Sequence, residues 1–307
     1  MADPIYGVMS RIGVKKETTD GTPVTVDTLL ELVSGDIGLV EEGIHAQGMA
    51  GTRSHWAART RAGNRRVSGS ITLCPNASEW AVLLPFIMGA DASGTSFALA
   101  EVLPSFTAVL DKDNGADGKV YTYNGCKAGT ATIAAEQGGM LTLDMGVEGW
   151  DESIGNAGTF PALTLNVATG PFIFSDAVIS VAASNYSFKR FSFTIDNQLD
   201  TERFTNSATR TAIPSRGRVV SVSLDGPAGN NHATYPTAAT LAAGVAVVAT
   251  FTNTVHAVSM AITFPKVHFP RRTAVWAGRE ELMIPLVGEA RATAVNNCVS
   301  IVLDSTP

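Results

Sequence analysis

The sequence predicts a mainly β protein built from two similar halves. Apolar and polar residues alternate with period 2 in stretches such as "RVSGSITL", "FSFTID" and "RVVSVSLD", and turn residues break these stretches at short intervals. Helix signals are few, and the same order of elements occurs twice. With 307 residues, 45% of them apolar, the chain is long enough for one large or two ordinary domains with real cores.

The N-terminal residues 1–25 are predicted to form an arm that precedes the first domain. The stretch "MADPIYGVMSRIGVKKETTDG" has no apolar segment behind a basic start, so we expect no secretory signal peptide. The longest apolar stretches, "WAVLLPFIMGA" and "AATLAAGVAVVATF", are shorter than the roughly 20 residues that a membrane-spanning helix needs. We therefore expect no membrane role.

Two short helices are predicted. In "NASEWAVLLPFIMG", Asn76 or Ser78 serves as the N-cap, Glu79 suits the first turn, and Pro85 is expected to kink or end the helix. The second candidate is "YPTAATLAAG", residues 235–244, with Pro236 near its first turn and Gly244 as its stop.

The order of these elements indicates a tandem duplication. Each half contains a strand ("DIGLVEEGI" or "RFSFTIDN"), a polar basic segment, a second strand and a short helix that ends at glycine. Matching residues of the two halves keep a nearly constant separation: Arg66 and Arg218 are 152 residues apart, and Gly89 and Gly244 are 155 residues apart. We accordingly predict a first β domain at residues 26–160 and a second at residues 161–307.

The polar basic segments are predicted to contact other subunits. We call residues 51–66 the first arm and residues 198–217 the second arm. Structureless loops of about 20 residues are uncommon in a compact domain and usually serve function or assembly. The alternative is a solvated loop whose arginines give solubility. The candidate contact residues are Arg53, Trp56, Arg59 and Arg61 in the first arm and Arg203, Thr205, Arg210 and Arg216 in the second.

The arms also suggest partners and a test. We expect their arginines to meet acidic residues of a neighbouring subunit, with Glu41, Glu42, Asp200 and Glu202 as candidates. Deletion of residues 205–215 is expected to leave a folded subunit that cannot polymerise.

No catalytic, cofactor or metal site is predicted. The five histidines never stand at i, i+4 beside a glutamate, and neither a nucleophile elbow nor a phosphate-binding glycine loop is present. The acidic stretch "DKDNGADGK" lacks the closing glutamate of a calcium loop and reads as a hairpin tip, and "GPAGNN" reads as a turn. The cysteines, three in number and without a CxxC pair, are expected to be reduced.

Charge argues against nucleic-acid binding. The formal net charge is −6, whereas proteins that bind nucleic acid neutralise its phosphates with clustered Lys and Arg. One short stretch, "KVHFPRRTAVW", combines basic and aromatic residues that could stack on a single strand. A strand end with surface arginines, or an intersubunit ion pair, explains this stretch as well.

Several stretches resemble the major tail tube proteins of long, non-contractile-tailed bacteriophages. They are "FSFTIDNQLDTER", "AIPSRGRVVSVSLDG", "ELMIPLVGEARATAVNNCVSIVLD" and "FPALTLNVATGPFIFSDAVISV", so the resemblance is greatest over residues 160–307. The first arm, with Trp56 and five arginines, is unlike the second.

The resemblance implies a β-sandwich or half-barrel with a flanking helix, in a structural virion protein without enzymatic activity. Rings of three chains with pseudo-sixfold symmetry, or of six chains, would stack into a tube in the phage tail, assembled in the host cytoplasm. It further implies that the arm of each subunit packs on the next ring. Other tail proteins (tape measure, terminator and distal tail) would be partners, and phage DNA would pass through the lumen without specific binding.

Two alternatives remain open at this stage. A distal tail or baseplate hub protein shares the fold but forms a single ring. A carbohydrate-binding or hydrolase β-sandwich would need exposed aromatic residues in a cleft and paired carboxylates. With four Trp and five Tyr that do not cluster, the composition favours this second alternative least.

Overall fold

The protein is mainly β, as predicted. The computed structural model describes residues 7–46, 48–49, 53–112, 118–156, 159–227, 238–270, 279 and 282–306. The first half of this part of the chain contains β1 (Arg11–Lys16), β2 (Thr28–Leu30), β3 (Leu32–Gly35), β4 (Gly38–His45), β5 (Thr60–Leu73), α1 (Ala77–Met88), β6 (Ser96–Ala98), β7 (Phe106–Asp111), β8 (Lys119–Glu136), β9 (Thr142–Gly149) and β10 (Asp151–Asn156). The second half contains β11 (Ala177–Val181), β12 (Ser184–Asn185), β13 (Arg190–Asp196), β14 (Val219–Pro227), α2 (Ala238–Ala243), β15 (Val245–Asn253), β16 (Val258–His268), β17 (Met283–Ala290) and β18 (Ser300–Asp304).

One antiparallel sheet runs through both halves in the order β4-β5-β9-β8-β13-β14-β17. We call it the main sheet. Its two halves join edge to edge where β8 pairs with β13, from Thr130 opposite Asp196 to Glu136 opposite Arg190. Apolar residues on one side of these strands are buried, among them Ile71, Met145, Ile133 and Phe193, and form the core against a second layer.

The second layer is made of two further groups of strands. In the first half it has the order β2-β1-β7-β8-β10, and in the second half β12-β11-β15-β16-β18-β6. The long strand β8 belongs to both layers. It changes layer near Gly125, which has φ +61° and lies so close to the Trp150 ring that a Cβ would stand 2.5 Å from Trp150 Cγ.

The two halves share one pattern of strand pairing. A long strand, β8 or β16, pairs in the second layer with the strand before it and with the last strand of its half. Its C-terminal end then pairs with the strand that follows it, β9 or β17. The strand hairpin on either side of each arm, β4–β5 or β13–β14, extends the main sheet from there.

The segment predicted as an N-terminal arm is in part a core strand. Arg11–Lys16 forms β1, which pairs with β2 and β7 and buries Ile12 and Val14. The sequence "RIGVKK" places its buried residues consecutively instead of in alternation, so the period-2 pattern does not reveal it.

The helix α1 begins where the sequence predicts. Asn76 is the N-cap of a capping box, in which its side chain accepts from Glu79 N and Glu79 Oε2 accepts from Asn76 N at 2.8 Å. Pro85 does not end the helix, which continues to Met88 and stops at Gly89. Trp80, Leu83 and Ile87 are fully buried between the layers.

The remaining local predictions agree with the described residues or lie outside them. α2 spans Ala238–Ala243 before Gly244, whose φ is +91°; residues 235–237 lie outside the described part. β7 and β8 form the hairpin that "DKDNGADGK" closes. Residues 113–117 of that stretch, residues 228–231 of "GPAGNN" and residues 271–276 of "KVHFPRRTAVW" lie outside the described part of the chain. All three cysteines are free, and Cys126 is buried.

Candidate assembly surfaces

The face of the main sheet turned away from the core is lined by small hydroxyl and acidic side chains. The strand register aligns these residues in rows that cross the junction of the two halves. Thr132 and Thr194 face each other at the junction, where their hydroxyls are hydrogen-bonded at 2.9 Å. The longest row contains Thr72, Asp144, Thr132, Thr194, Ser221 and Glu289. We call this surface the hydroxyl face.

Negative charge predominates on the hydroxyl face. Its acidic side chains come from β9, β8, β13, β14 and β17. Its basic side chains in the described strands are Arg66, Lys127 and Arg190, and two of the acids are paired with arginines outside the strands, Glu148 with Arg210 and Glu289 with Arg291. Arg66 is already paired with Glu42 at 3.1 Å. The acidic residues are Glu136, Asp144, Glu148, Asp196, Asp225 and Glu289. Such a surface repels a polyanion.

The main sheet has an open edge at β4. In the described part of the chain β4 pairs with β5 and with no other strand. At the opposite end, β17 pairs with β14 along its whole length but meets β16 only at Val267 and His268. Unpaired N–H and C=O groups at such edges favour pairing with another chain.

The first arm belongs to a hairpin that projects from the body. β5 begins at Thr60, six residues before the predicted start, and pairs with β4 out to His45 opposite Thr60. Most of the described residues in this hairpin are exposed, including large apolar ones: Ile44 is 61% and Trp56 63% accessible. Exposed apolar side chains grouped on one projecting element indicate a contact surface.

The second arm, in contrast, folds back onto the first half of its own chain. Asn197 N donates to Gly129 O at 2.8 Å, and Arg65 N donates to Ala208 O at 2.8 Å. The arm therefore crosses the ends of β8 and β9 and reaches β5. Arg210 is only 2% accessible and Ile213 only 1%, so this arm has a buried core contact in its own chain.

Arg210 fixes the second arm to the first half. Its Nε donates to Thr201 O at 2.8 Å, and its Nη1 donates to Val67 O at 3.2 Å and to Gly149 O at 3.0 Å. Nη1 also lies 2.7 Å from Glu148 Oε2. Because both Nη1 hydrogens are directed at carbonyl oxygens, the contact with Glu148 is ionic without being a directed hydrogen bond.

The predicted contact residues thus fall into two groups. Arg53, Trp56, Arg59 and Arg61 are exposed on the projecting hairpin, and Arg203, Thr205 and Arg216 are exposed on the second arm. Arg210 is buried, so its guanidinium is not available to a neighbouring subunit. Arg203 and Arg216 pair with Asp200 of their own chain at 3.4 and 2.8 Å, and their contact with acidic residues of a neighbouring subunit stays a prediction. The Arg216 hydrogen bond lowers the pKa of Asp200.

Sequence reasoning missed the buried polar residue that ties the second arm to the body. Asn197 Nδ2 donates to Ile87 O, at the end of α1, and to Ala128 O of β8, both at 3.1 Å. Arg218 Nε donates to Asn197 Oδ1 at 3.1 Å. The only local signal was an Asn at the end of a strand, which is equally typical of an ordinary turn.

The described residues give no sign of a metal site or membrane span. They contain no cluster of three or more His, Cys, Asp or Glu residues placed to hold a metal ion. No helix among them has the length and apolar character to cross a membrane.

An open sheet edge and an exposed apolar hairpin indicate a β protein that contacts other chains through its surfaces. The chain belongs to the phage tail tube protein family, whose model matches residues 7–294. It is therefore a structural tail tube protein and a component of the virion tail. None of the curated proteins matches the chain.

Proposed function

We propose that this subunit self-assembles into rings, and that the rings stack into the tube through which phage DNA leaves a long, non-contractile tail. The observation that carries the proposal is the junction of β8 and β13, where the main-sheet strands of the two similar halves already join edge to edge in one chain. A sheet that can extend in this way removes its exposed edges by closing into a barrel.

The open edge of β4 is the proposed ring-forming edge. In the chain, β13 pairs with β8, the long strand of the preceding half. Since β4 has the position in the first half that β13 has in the second, we infer that β4 pairs with the corresponding end of a neighbouring chain. Three chains would then supply six similar units, which is a ring with pseudo-sixfold symmetry.

We propose that the hydroxyl face is the wall of the lumen. Its acidic side chains repel phosphates, and Ser and Thr hydroxyls keep it hydrated without offering a binding site for DNA. A lumen without clustered cations lets the duplex pass without electrostatic drag.

The shared pairing pattern supports a tandem duplication, with domains near residues 26–160 and 161–307. The described strand β1 extends the proposed first domain toward the N-terminus, because it pairs with β2 and β7 of that half. Tape measure, terminator and distal tail proteins are proposed partners at the ends of the tube.

Electron microscopy of the purified protein at rising concentration tests the proposal. We expect stacked rings or tubes of uniform diameter, with threefold symmetry and sixfold pseudosymmetry in end views. Single rings at every concentration would instead indicate a distal tail or baseplate hub. A protein that stays monomeric throughout the series would contradict both.

A further inference from the structure

The site on the first half where Arg210 binds has a structural counterpart on the second half. In the first half Ser68 faces Glu148, and Val67 faces Gly149. In the second half Ser221 faces Glu289, and Val220 faces Ala290. In each half the long strand also pairs with this glutamate: Lys127 of β8 lies opposite Glu148, and His268 of β16 lies opposite Glu289. Glu289 is thus the structural equivalent of Glu148.

The two equivalent sites differ in what covers them. At Glu148 the second arm lies across the strand ends and inserts Arg210. At Glu289 there is a shallow open groove of about 530 Å³, lined by His268, Pro270, Val287, Gly288, Glu289 and Arg291. The Glu289 side chain is 37% accessible, against 25% for Glu148, and pairs with Arg291 two residues away at 2.6 Å.

The two equivalent arms also differ in whether another part of the chain covers them. The second arm follows β13, which has the first half beside it in the chain, and it is buried against that half. The first arm follows β4, which has an open edge, and its described residues from 53 to 62 are exposed. It carries the exposed side chains of Arg59, Arg61 and Trp56, and Ile44 is exposed on the facing strand. Among the described residues, the first arm has no half that covers it, and the Glu289 site has no arm that covers it, so the two are complementary surfaces of two copies.

We propose that the first arm of one subunit lies across β16, β17 and β14 of the neighbouring subunit in the same ring, with Arg59 and Arg61 at Glu289. This contact repeats between chains what Arg210 does at Glu148 within one chain, and it rests on the proposed self-assembly. The first arm is then a lateral contact within a ring, whereas the family resemblance alone implies packing on the next ring.

Disulfide trapping in assembled tubes separates these two arrangements. We would combine Trp56→Cys and Val287→Cys in one chain, oxidise the tubes and size the products under denaturing, non-reducing conditions. A lateral contact gives crosslinked species that stop at the number of chains in one ring. A contact between rings gives a ladder without an upper limit and would overturn the proposal, as would the absence of crosslinks in well-formed tubes.

The single variants Trp56→Cys and Val287→Cys are the matched controls, because Cys74 and Cys298 are partly accessible in the native chain. If the native protein forms no rings or tubes at all, the proposed self-assembly itself fails. That outcome is distinct from tubes that form but crosslink between rings.

Charge reversal tests the ion pair. Glu289→Arg places like charges together, and we expect it to reduce the yield of tubes at least tenfold. Arg59→Glu with Arg61→Glu should have the same effect alone and should restore assembly when combined with Glu289→Arg. Asp304→Arg, an equal charge change at an exposed position of β18, is the control.

Thermal melting of each variant must first show that the subunit is folded. Glu289→Gln provides a milder change if the reversal destabilises β17. Normal tubes from folded Glu289→Arg, or failure of the combined variant to recover, would rule out the pairing of Glu289 with the first arm.

Discussion

The most densely hydrogen-bonded carboxylate in the described structure is that of Glu17. It accepts from Ser105 Oγ at 2.6 Å, Gly21 N at 2.8 Å, Thr107 Oγ1 at 2.9 Å and Gly125 N at 2.9 Å. These contacts fix the loop after β1 to the turn in β8 where that strand changes layer. Each buried donor that loses its acceptor lowers the free energy of unfolding by roughly 1–3 kcal/mol, so Glu17 stabilises the fold mainly through these hydrogen bonds.

We therefore expect Glu17→Ala to lower the free energy of unfolding by about 3 kcal/mol or more, because several buried donors lose their acceptor. Denaturant titration of the unassembled subunit measures the change. Asp91→Ala, which removes an exposed ion pair with Lys16, is the control and should cost at most about 1 kcal/mol. Equal losses in the two variants would show that the buried network contributes no more than a surface pair.

Arg210 stabilises the subunit through three carbonyl oxygens and Glu148. We expect Arg210→Ala to cost about 3–5 kcal/mol, since it removes a buried cation from three carbonyl oxygens and from the buried Oε2 atom of Glu148. Arg210→Lys should recover little, because one ammonium group cannot reproduce the guanidinium geometry. Arg203→Ala, at an exposed position in the same arm, should be nearly neutral in the same thermal or denaturant melts.

Glu79 gives a pH-dependent prediction. Burial raises the pKa of Glu79, partly opposed by the backbone N–H groups of Asn76 and Glu31. A carboxyl group whose pKa is raised in the folded state stabilises the fold most below its unfolded pKa, about 4.3, and this contribution is lost as pH rises through the folded pKa.

The stability of the native protein relative to Glu79→Gln should therefore fall as pH rises from about 4 toward 7, since the amide does not titrate. Melting temperatures of both proteins across this range provide the measurement. A difference that is constant, or that grows with pH, would show that the folded-state pKa of Glu79 is not raised.

At the level of elements, the two arms have opposite roles in the subunit. Replacing residues 46–59 by Asn-Gly, so that His45 and Thr60 are joined by a tight turn, removes residues that are exposed where described. We expect a subunit with an unchanged melting temperature that no longer forms tubes. Size-exclusion chromatography and electron microscopy measure this loss.

Deletion of residues 205–215 is the counterpart of that variant. The sequence alone predicted a folded subunit, but Arg210 and Ile213 are buried against the first half. We now expect this deletion to destabilise the monomer itself. If it melts like the native protein, the second arm contributes no core contact and the two arms are alike.

The elements that could be predicted from sequence are those with local causes. The alternating strands β5, β13 and β14 and the capping box at Asn76 are visible in windows of a few residues. The position of the second arm could not be predicted, because Arg210 and Val67 are 143 residues apart and meet only through the junction of β8 and β13. Both arms are polar and contain several arginines, so their local composition does not reveal their opposite environments.

For the whole molecule, the division of charge between its surfaces matters more than the net charge of −6. Exposed arginines concentrate on the arms, while the hydroxyl face is mainly acidic. If this face lines the lumen, cations introduced there should retain DNA, because each added lysine recurs in every chain of every ring.

Phage carrying Ser192→Lys and Thr194→Lys in the tube protein should assemble tails, since both side chains point away from the core on β13, outside the proposed arm contact, but should eject DNA more slowly. The defect should be large near 50 mM salt and weaken by about 200 mM, as counterions screen phosphate contacts. Ejection rates from single particles measure it. Ser192→Gln with Thr194→Gln controls for size, and Val178→Lys, exposed on β11 in the second layer, controls for charge. Native ejection rates at low salt from tails that contain the lysine variant would show that the hydroxyl face does not meet the DNA.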